Sequence, residues 1–213
     1  MRLTSVPILI NRVLVPSVPA LVKRHPALRL ELIAEPRDLS LSKREADIAL
    51  RLARPRTSAG RTLLVRKIGD LPYAVYASAS YPRNGKAKLP WITYEDAMAD
   101  LPQARWMAAA MARDGALSAP IMVNDAEAIL QAVQAGLGRS LLPRAVGDRA
   151  SGMRRLDTTS RSTVFSRELW LLVHPDLRPL ARIAAVIDWL ENVVRKLEAK
   201  VSAGRTKRPS SFP

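Results

Sequence analysis

The feature that most constrains this chain is the order of its apolar segments. Short runs typical of β-strands are separated by longer stretches with helical signals. Strands joined through helices pair in parallel by right-handed crossovers, and this places helices on both faces of the sheet. The sequence therefore predicts an α/β fold.

The first strands and helices follow one another closely from the N-terminus. Residues 3–6 form a short apolar strand candidate, and a helix containing Ser17 is expected to end at His25-Pro26. Residues 28–33 alternate with period two, as a half-buried strand does. A short helix over 38–45 and a strand over 47–52 complete the predicted first set.

A Gly-Asp pair divides the next apolar stretch into two parts. Two strands, 62–68 and 71–77, are expected on either side of Gly69 and Asp70, and the second strand is expected to leave the first lobe. A second alternation of strand and helix begins at Pro90. It includes a helix opened by Asn124 and Asp125 as N-cap signals and closed by Gly136.

The last helix is predicted to start at Pro179 and to end near Leu197. Residues 198–213 are rich in Ser, Lys, Arg and Pro, and they bury too little apolar surface to fold. This segment is expected to be a disordered basic tail.

Composition excludes several kinds of chemistry. The chain has 213 residues and 48% hydrophobic content, which is enough for one well-packed domain or for two lobes of roughly 100 residues each. It has no cysteine and two histidines, so disulfides, cysteine-based zinc sites and thiol catalysis are excluded. No cofactor is expected. The N-terminus lacks an uninterrupted apolar core and a cleavage site, so a cytoplasmic protein without a membrane segment is predicted.

The net charge of +15 favours polyanionic partners. The arginines are dispersed and are not interleaved with aromatic residues, so a merely solvating surface and nonspecific association with DNA both remain open.

Three segments resemble LysR-type transcriptional regulators, in the same order and at similar distances. Residues 3–5 with 21–26 are similar to that family's first strand and the following helix, which closes in a basic residue-His-Pro turn. Residues 45–51 resemble its Asp-led third strand. Residues 132–143, which run from a helix through a glycine turn to a strand ending in Leu-Pro, are the most specific match.

The resemblance covers residues 2–197 and implies a fold of the periplasmic-binding-protein type II kind. Two α/β lobes with a ligand cleft would be joined by two crossing strands. On this basis lobe I comprises residues 1–75 and 174–197, and lobe II comprises residues 76–173.

The resemblance also implies a function. The chain is expected to be the effector-sensing domain of a LysR regulator, binding a small molecule, with an anionic effector among the alternatives. The winged helix-turn-helix and linker helix that precede this region in the family are not in the sequence. Transcriptional control would then depend on an associated DNA-binding domain or partner, and DNA would be bound only through it or nonspecifically. The family further implies homo-oligomers, or association with intact relatives, through first-lobe helices.

The expected ligand residues come from strand ends and helix starts. They are Thr4, Ser5, Val6, Leu52, Arg54, Asn124, Asp125, Gly138, Arg139 and Ser140. Four of them have a simpler interpretation: Ser5 as a turn or cap residue, Asn124 and Asp125 as capping residues, and Arg139 as a solvent-facing arginine that binds no anion.

Two other classes of function are compatible with this fold. A solute-binding protein for a transporter would need export, which the N-terminus argues against. A truncated regulator fragment that does not bind DNA is a further alternative. An enzyme is not expected, because no nucleophile, base or metal-ligand constellation occurs at motif spacing.

Overall fold

Strands and helices alternate along the chain, as predicted. The computed structural model describes residues 1–35, 45–55, 63–81, 89–156 and 165–203. The strands are β1 (Arg2–Ser5), β2 (Glu31–Ala34), β3 (Ile48–Arg51), β4 (Leu64–Ser78), β5 (Trp91–Tyr94), β6 (Ser118–Val123), β7 (Arg139–Pro143), β8 (Met153–Arg155) and β9 (Ser166–Val173). The helices are α1 (Pro7–Leu9), α2 (Val15–Arg24), α3 (Pro102–Asp114), α4 (Ala126–Gln134), α5 (Arg144–Gly147) and α6 (Ala181–Ala203).

The chain divides into two units. Unit 1 comprises Met1–Leu71 and Arg167–Pro213, and unit 2 comprises Pro72–Ser166. Strand β9 was expected in the second lobe, but from Arg167 onward it lies in unit 1 and pairs antiparallel with β3. The sequence of β9 signals a strand without revealing which strand it pairs with, so the boundary was placed at its wrong end.

Unit 1 is built on a sheet whose strand order is β2-β1-β3-β9. Strand β1 pairs in parallel with both β2 and β3, as the crossover argument predicted. Its core joins strand residues to the inner face of α6. Buried members of this core are Leu3, Ile48, Leu171, Ile183, Val186 and Leu190.

The first helical segment of unit 1 is longer than predicted. It begins at Pro7 in α1, passes through a π-helical turn at Ile10–Leu14, and continues as α2. Two prolines of this segment are tolerated for local reasons. Pro7 occupies the first turn, where no N–H is required, and the wider π turn comes just before Pro16.

Unit 2 has its own sheet. Strand β5 pairs in parallel with β6 and β7, and β7 and β8 pair antiparallel with β4. Helices α3 and α4 cover apolar residues of these strands. The buried side chains include Trp91, Ile92, Met107, Ile129, Leu130 and Leu141. Gly136 follows α4 with φ of +81°, as the predicted C-terminal cap requires.

Two other predicted boundaries differ from the structure. Strand β4 runs without a break through Gly69 and Asp70, where two separate strands were expected. Helix α6 continues to Ala203, past the predicted end at Leu197 and into the segment expected to be a disordered tail. The rest of that tail and nearly all of the predicted helix over 38–45 lie outside the described residues.

Candidate functional site

Several predicted ligand residues of unit 1 lie at one edge of its sheet. The parallel strands β1 and β3 end there at Ser5 and Arg51. Ligands of open α/β sheets bind outside the carboxyl ends of parallel strands. Val6 leads from Ser5 into the helical segment 7–24, and no side chain among the described residues caps the start of α1.

Ser5 is buried, and its hydroxyl has a local partner. Its Oγ donates a hydrogen bond to the Leu50 carbonyl oxygen on β3 at 2.8 Å. The interpretation of Ser5 as a turn or cap residue does not describe this bond, which ties two parallel strands. The hydroxyl oxygen can still accept a hydrogen bond from a ligand, but its proton is already donated to Leu50.

Two arginines of this edge were not among the predicted site residues. Arg51 is 7% exposed and Arg167 is 9% exposed. The Arg51 guanidinium donates to Thr4 Oγ1 at 3.4 Å, and Arg167 donates from two nitrogens to the Leu52 carbonyl oxygen at 3.2 and 2.8 Å. A basic residue at the end of the apolar run 48–51 was the available sequence signal.

Leu52 and Arg54 follow β3 at the same edge. Leu52 is half-buried, and its carbonyl oxygen is the acceptor for Arg167. Arg54 is exposed, and its guanidinium carbon lies 5.5 Å from the centre of the Trp170 ring, within cation–π range. The structure therefore brings five of the predicted residues to one edge of unit 1 and adds two buried guanidinium groups.

In unit 2, Asn124 and Asp125 follow the carboxyl end of β6. Asn124 is exposed. Asp125 is the N-cap of α4, and its carboxylate accepts hydrogen bonds from the N–H groups of Glu127 and Ala128 at 2.6 and 3.3 Å. The predicted cap is confirmed, and the carboxylate already occupies the donors at this helix start.

The third predicted set, Gly138, Arg139 and Ser140, lies at the other end of the unit 2 sheet. Arg139 is the first residue of β7 and is in register with Trp91, the first residue of β5. Val123, at the end of β6, is in register with Tyr94, the last residue of β5. The set is thus separated from Asn124 by the length of β5, about 10 Å along the strand.

Each member of this third set has a packing role. The Arg139 guanidinium donates to Asp114 at 2.9 Å and lies 4.6 Å from the centre of the Trp91 ring, and its side chain is 18% exposed. The solvent-facing interpretation of Arg139 was wrong. Ser140 Oγ lies 2.8 Å from the Ile92 carbonyl oxygen, to which it donates, and a Cβ atom at Gly138 would overlap the Pro90 carbonyl oxygen.

In unit 2, the pKa of Tyr76 is strongly raised, and the structure explains why. Burial, followed by the hydrogen bond to Asp148 at 2.5 Å, raises the pKa of Tyr76. The phenol therefore stays neutral and joins β4 to the turn after α5. This arrangement provides neither an acid nor a base for chemistry near neutral pH.

Two other kinds of site are absent from the part of the chain that the structure describes. Across the described ranges, no helix combines the length and the apolar character that a membrane span requires. The same ranges contain no group of three His, Cys, Asp or Glu side chains arranged to hold a metal ion.

Two α/β units joined through the long strand β4 define the class of fold: a ligand-binding domain of the periplasmic-binding-protein type II kind. The family model described as "LysR substrate binding domain" matches residues 1–195. The chain belongs to this family, so the predicted resemblance and fold class are confirmed.

Comparison with individual proteins gives the same family. The chain is 27% identical over 196 residues to the Mau operon transcriptional activator of Paracoccus denitrificans, and the match covers 88% of this chain. It covers 62% of the activator, so the chain spans less than two thirds of that relative's length.

Solved structures show the same fold at lower identity. The regulatory domain of CrgA, a LysR-type transcriptional regulator from Neisseria meningitidis, matches with a TM-score of 0.69 and 19% identity, covering 92% of this chain and 98% of that domain. The CcmR regulatory domain of Synechocystis PCC6803, in complex with 2-PG, matches with a TM-score of 0.65 and 17% identity, covering 91% and 96%.

Proposed function

We propose that this domain senses a small molecule carrying an anionic group, and that the unit 1 edge formed by Thr4, Ser5, Val6, Leu52 and Arg54 binds that group. It acts by binding and not by turnover. In the whole protein, a DNA-binding domain or partner in the cytoplasm converts the bound state into a change in transcription. Among the fold relatives, the CcmR domain is in complex with the small molecule 2-PG.

The observation that carries the proposal is the charge at the unit 1 edge. Arg51 and Arg167 are nine-tenths buried, and a guanidinium in a low-dielectric environment attracts an anion more strongly than one in water. The helical segment 7–24 starts at the same edge, and its first N–H groups add a partial positive charge. Arginine also offers the planar pair of donors that fits a carboxylate or phosphate.

For unit 2 we propose Asn124 as a polar contact to the effector. It is exposed at the carboxyl end of β6, where its amide can both donate and accept. Asp125 belongs to the same loop, but its carboxylate is engaged in capping α4. Gly138, Arg139 and Ser140 are left out of the proposed site because they pack at the opposite end of the strands.

The first experiment is thermal unfolding of the chain with a panel of small carboxylates, aromatic acids and phosphates, together with their neutral amide or alcohol analogues. A compound that binds the native state at about 100 times its Kd adds about 2.7 kcal/mol of stability. We expect at least one acid to raise Tm and its neutral analogue to fail. A panel in which no acid raises Tm, or in which neutral analogues do equally well, contradicts the proposal.

Variants then test each unit separately. Thr4→Val removes a hydroxyl at the unit 1 edge at nearly constant volume, and Asn124→Ala removes the unit 2 amide. Gln131→Ala is the matched control, since Gln131 is exposed on the helix that follows Asn124. We expect the first two variants to lose most of the ligand-induced shift and the control to retain it. A shift that survives both variants would place the ligand elsewhere.

We also propose that the domain associates with a second copy. The family resemblance implies first-lobe helices for this contact, whereas the exposed apolar side chains named next favour the end strand of unit 2. Leu117 is 79% exposed and Met122 is 57% exposed, both in or beside β6, the end strand of the sheet. The same unit carries a groove of about 570 Å³ lined by Ala104, Ala108, Met111 and Ala112 of α3. Sedimentation velocity of Leu117→Asp is expected to show a monomer. Leu137→Asp, at another exposed leucine, is the control that should still associate.

A further inference from the structure

One face of helix α6 forms an ion pair and a hydrogen bond with the part of β4 that belongs to unit 1. Glu191 forms an ion pair with Arg66. Two turns later, the Glu198 carboxylate accepts a hydrogen bond from the Asp70 main-chain N–H at 2.9 Å. Positions 191, 194 and 198 are spaced so that they share one face of a helix.

Gly69 shows how closely α6 approaches the strand. A Cβ atom at this position would overlap the Val194 side chain and the Glu198 carboxylate oxygen. Glycine therefore permits the contact, which explains why a glycine lies inside the strand at the point where the sequence predicted a break between two strands. The glycine and the Glu198 bond lie directly before Leu71, the last residue of β4 in unit 1.

A line of polar contacts leads from this point to the proposed effector-binding edge. Asp70 pairs with Lys67 at 2.9 Å, and Lys67 pairs with Glu168 at 3.1 Å. The residue before Glu168 is Arg167, which donates to the Leu52 carbonyl oxygen. Each step is a direct hydrogen bond, an ion pair or a covalent neighbour, and all of the residues belong to unit 1.

We propose that Glu198 is a latch that holds β4 where the chain leaves unit 1, and that this latch is coupled through Lys67, Glu168 and Arg167 to the edge at Leu52. The inference rests on the proposed function only in assigning Leu52 to the effector site. Releasing the latch increases local opening at both ends of the line. Effector binding at Leu52 would in turn tighten β4, because coupling between two sites is reciprocal.

Hydrogen exchange of the intact chain, followed by mass spectrometry without any ligand, tests the latch. Glu198→Ala should speed exchange of amides in 64–71 by about tenfold, as expected when a hydrogen bond is lost. It should also speed exchange in 48–55, at the other end of the line. Glu198→Gln keeps an oxygen acceptor for the Asp70 N–H and should restore both rates.

Glu191→Ala is the matched control, since it removes a carboxylate from the same helix face but leaves the Asp70 bond in place. It should leave exchange at Asp70 unchanged, and Tm of all three variants shows whether the fold is retained. Unchanged exchange in 64–71 for Glu198→Ala overturns the latch, and a change there without one in 48–55 overturns the coupling. The result does not depend on an effector, so it can fail or succeed independently of the ligand screen.

Discussion

Ser5 of unit 1 and Ser140 of unit 2 make the same bond in different places. Both are buried, and both donate from Oγ to a main-chain carbonyl oxygen of a neighbouring parallel strand at 2.8 Å. Ser5 is the last residue of β1, whereas Ser140 lies near the start of β7. Of the two serines, only Ser5 lies at the carboxyl end of its strand, beside the proposed binding edge.

The helix starts of the two units differ in a related way. The first helical segment of unit 1 begins after Val6 without a side-chain cap, while α4 of unit 2 begins at Asp125, whose carboxylate is the cap. Among the described residues, Lys and Arg outnumber Asp and Glu in unit 1 and equal them in unit 2. This difference supports the proposal of an anion bound at unit 1 and neutral polar contacts from unit 2.

The largest expected effect concerns the packed end of unit 2. Gly138→Ala forces a methyl group against the Pro90 carbonyl oxygen, which is itself held by the Arg139 N–H at 2.9 Å. We expect the free energy of unfolding to fall by about 3 kcal/mol, the upper range for overpacking. Chemical denaturation measures this change.

Gly136→Ala is the control for this prediction. Apart from its two chain neighbours, no heavy atom of the described residues lies within 4 Å of a Cβ at Gly136, so only its positive φ is strained, at a cost of about 1 kcal/mol. Equal losses for the two variants would show that the start of β7 is not crowded. The ligand candidates would then again include Gly138, Arg139 and Ser140. The distinction between a binding edge in unit 1 and a packed strand start in unit 2 would be wrong.

A prediction of intermediate size concerns the stability and the ligand response of serine variants in the two units. Ser5→Ala and Ser140→Ala should each lower the free energy of unfolding by about 1 kcal/mol, because each removes a buried hydrogen bond. Ser5→Ala should in addition weaken the thermal shift produced by the best acid of the ligand panel. If Ser140→Ala weakens that thermal shift equally, then the position of a serine along its strand does not determine whether it affects ligand binding.

The smallest effect concerns the exposed ion pairs of unit 1. The hydrogen bond that Lys67 donates to the Glu168 carboxylate lowers the pKa of Glu168, and the Trp170 hydrogen bond lowers it further. Asp70 and Glu168 in turn raise the pKa of Lys67. The Glu168 contribution to stability is present above its ordinary pKa of 4.5 and is lost as pH falls through the lowered value. The Lys67 contribution is present below 10.5 and is lost as pH rises through the raised value.

Lys67→Met should therefore flatten the decline of unfolding free energy between about pH 5 and pH 3. Denaturation at several pH values in low salt measures it, and added salt should shrink the difference between the variant and the original chain. Arg139→Met, in the less exposed pair of unit 2, is the comparison, and its effect should change less with salt. An equal response to salt would show that burial does not distinguish the two pairs.

The sequence was sufficient for the alternation of strands and helices, the family and the cap at Asp125, because these depend on local patterns. It was insufficient where a distant partner decides. Arg139 seemed to face solvent, since Asp114 and Trp91 are far away along the chain. Gly69 indicated a break between two strands, because the helix that requires a glycine there comes more than 120 residues later. Arg51 and Arg167 were overlooked for the same reason.

The unbroken course of β4 through the boundary between the units limits how its length can change in evolution. Because side chains alternate between faces along a strand, inserting one residue would turn every side chain on one side of the insertion to the opposite face. Inserting two would keep the faces. Natural length variants of this segment should therefore differ by even numbers of residues, unless a bulge absorbs the odd one.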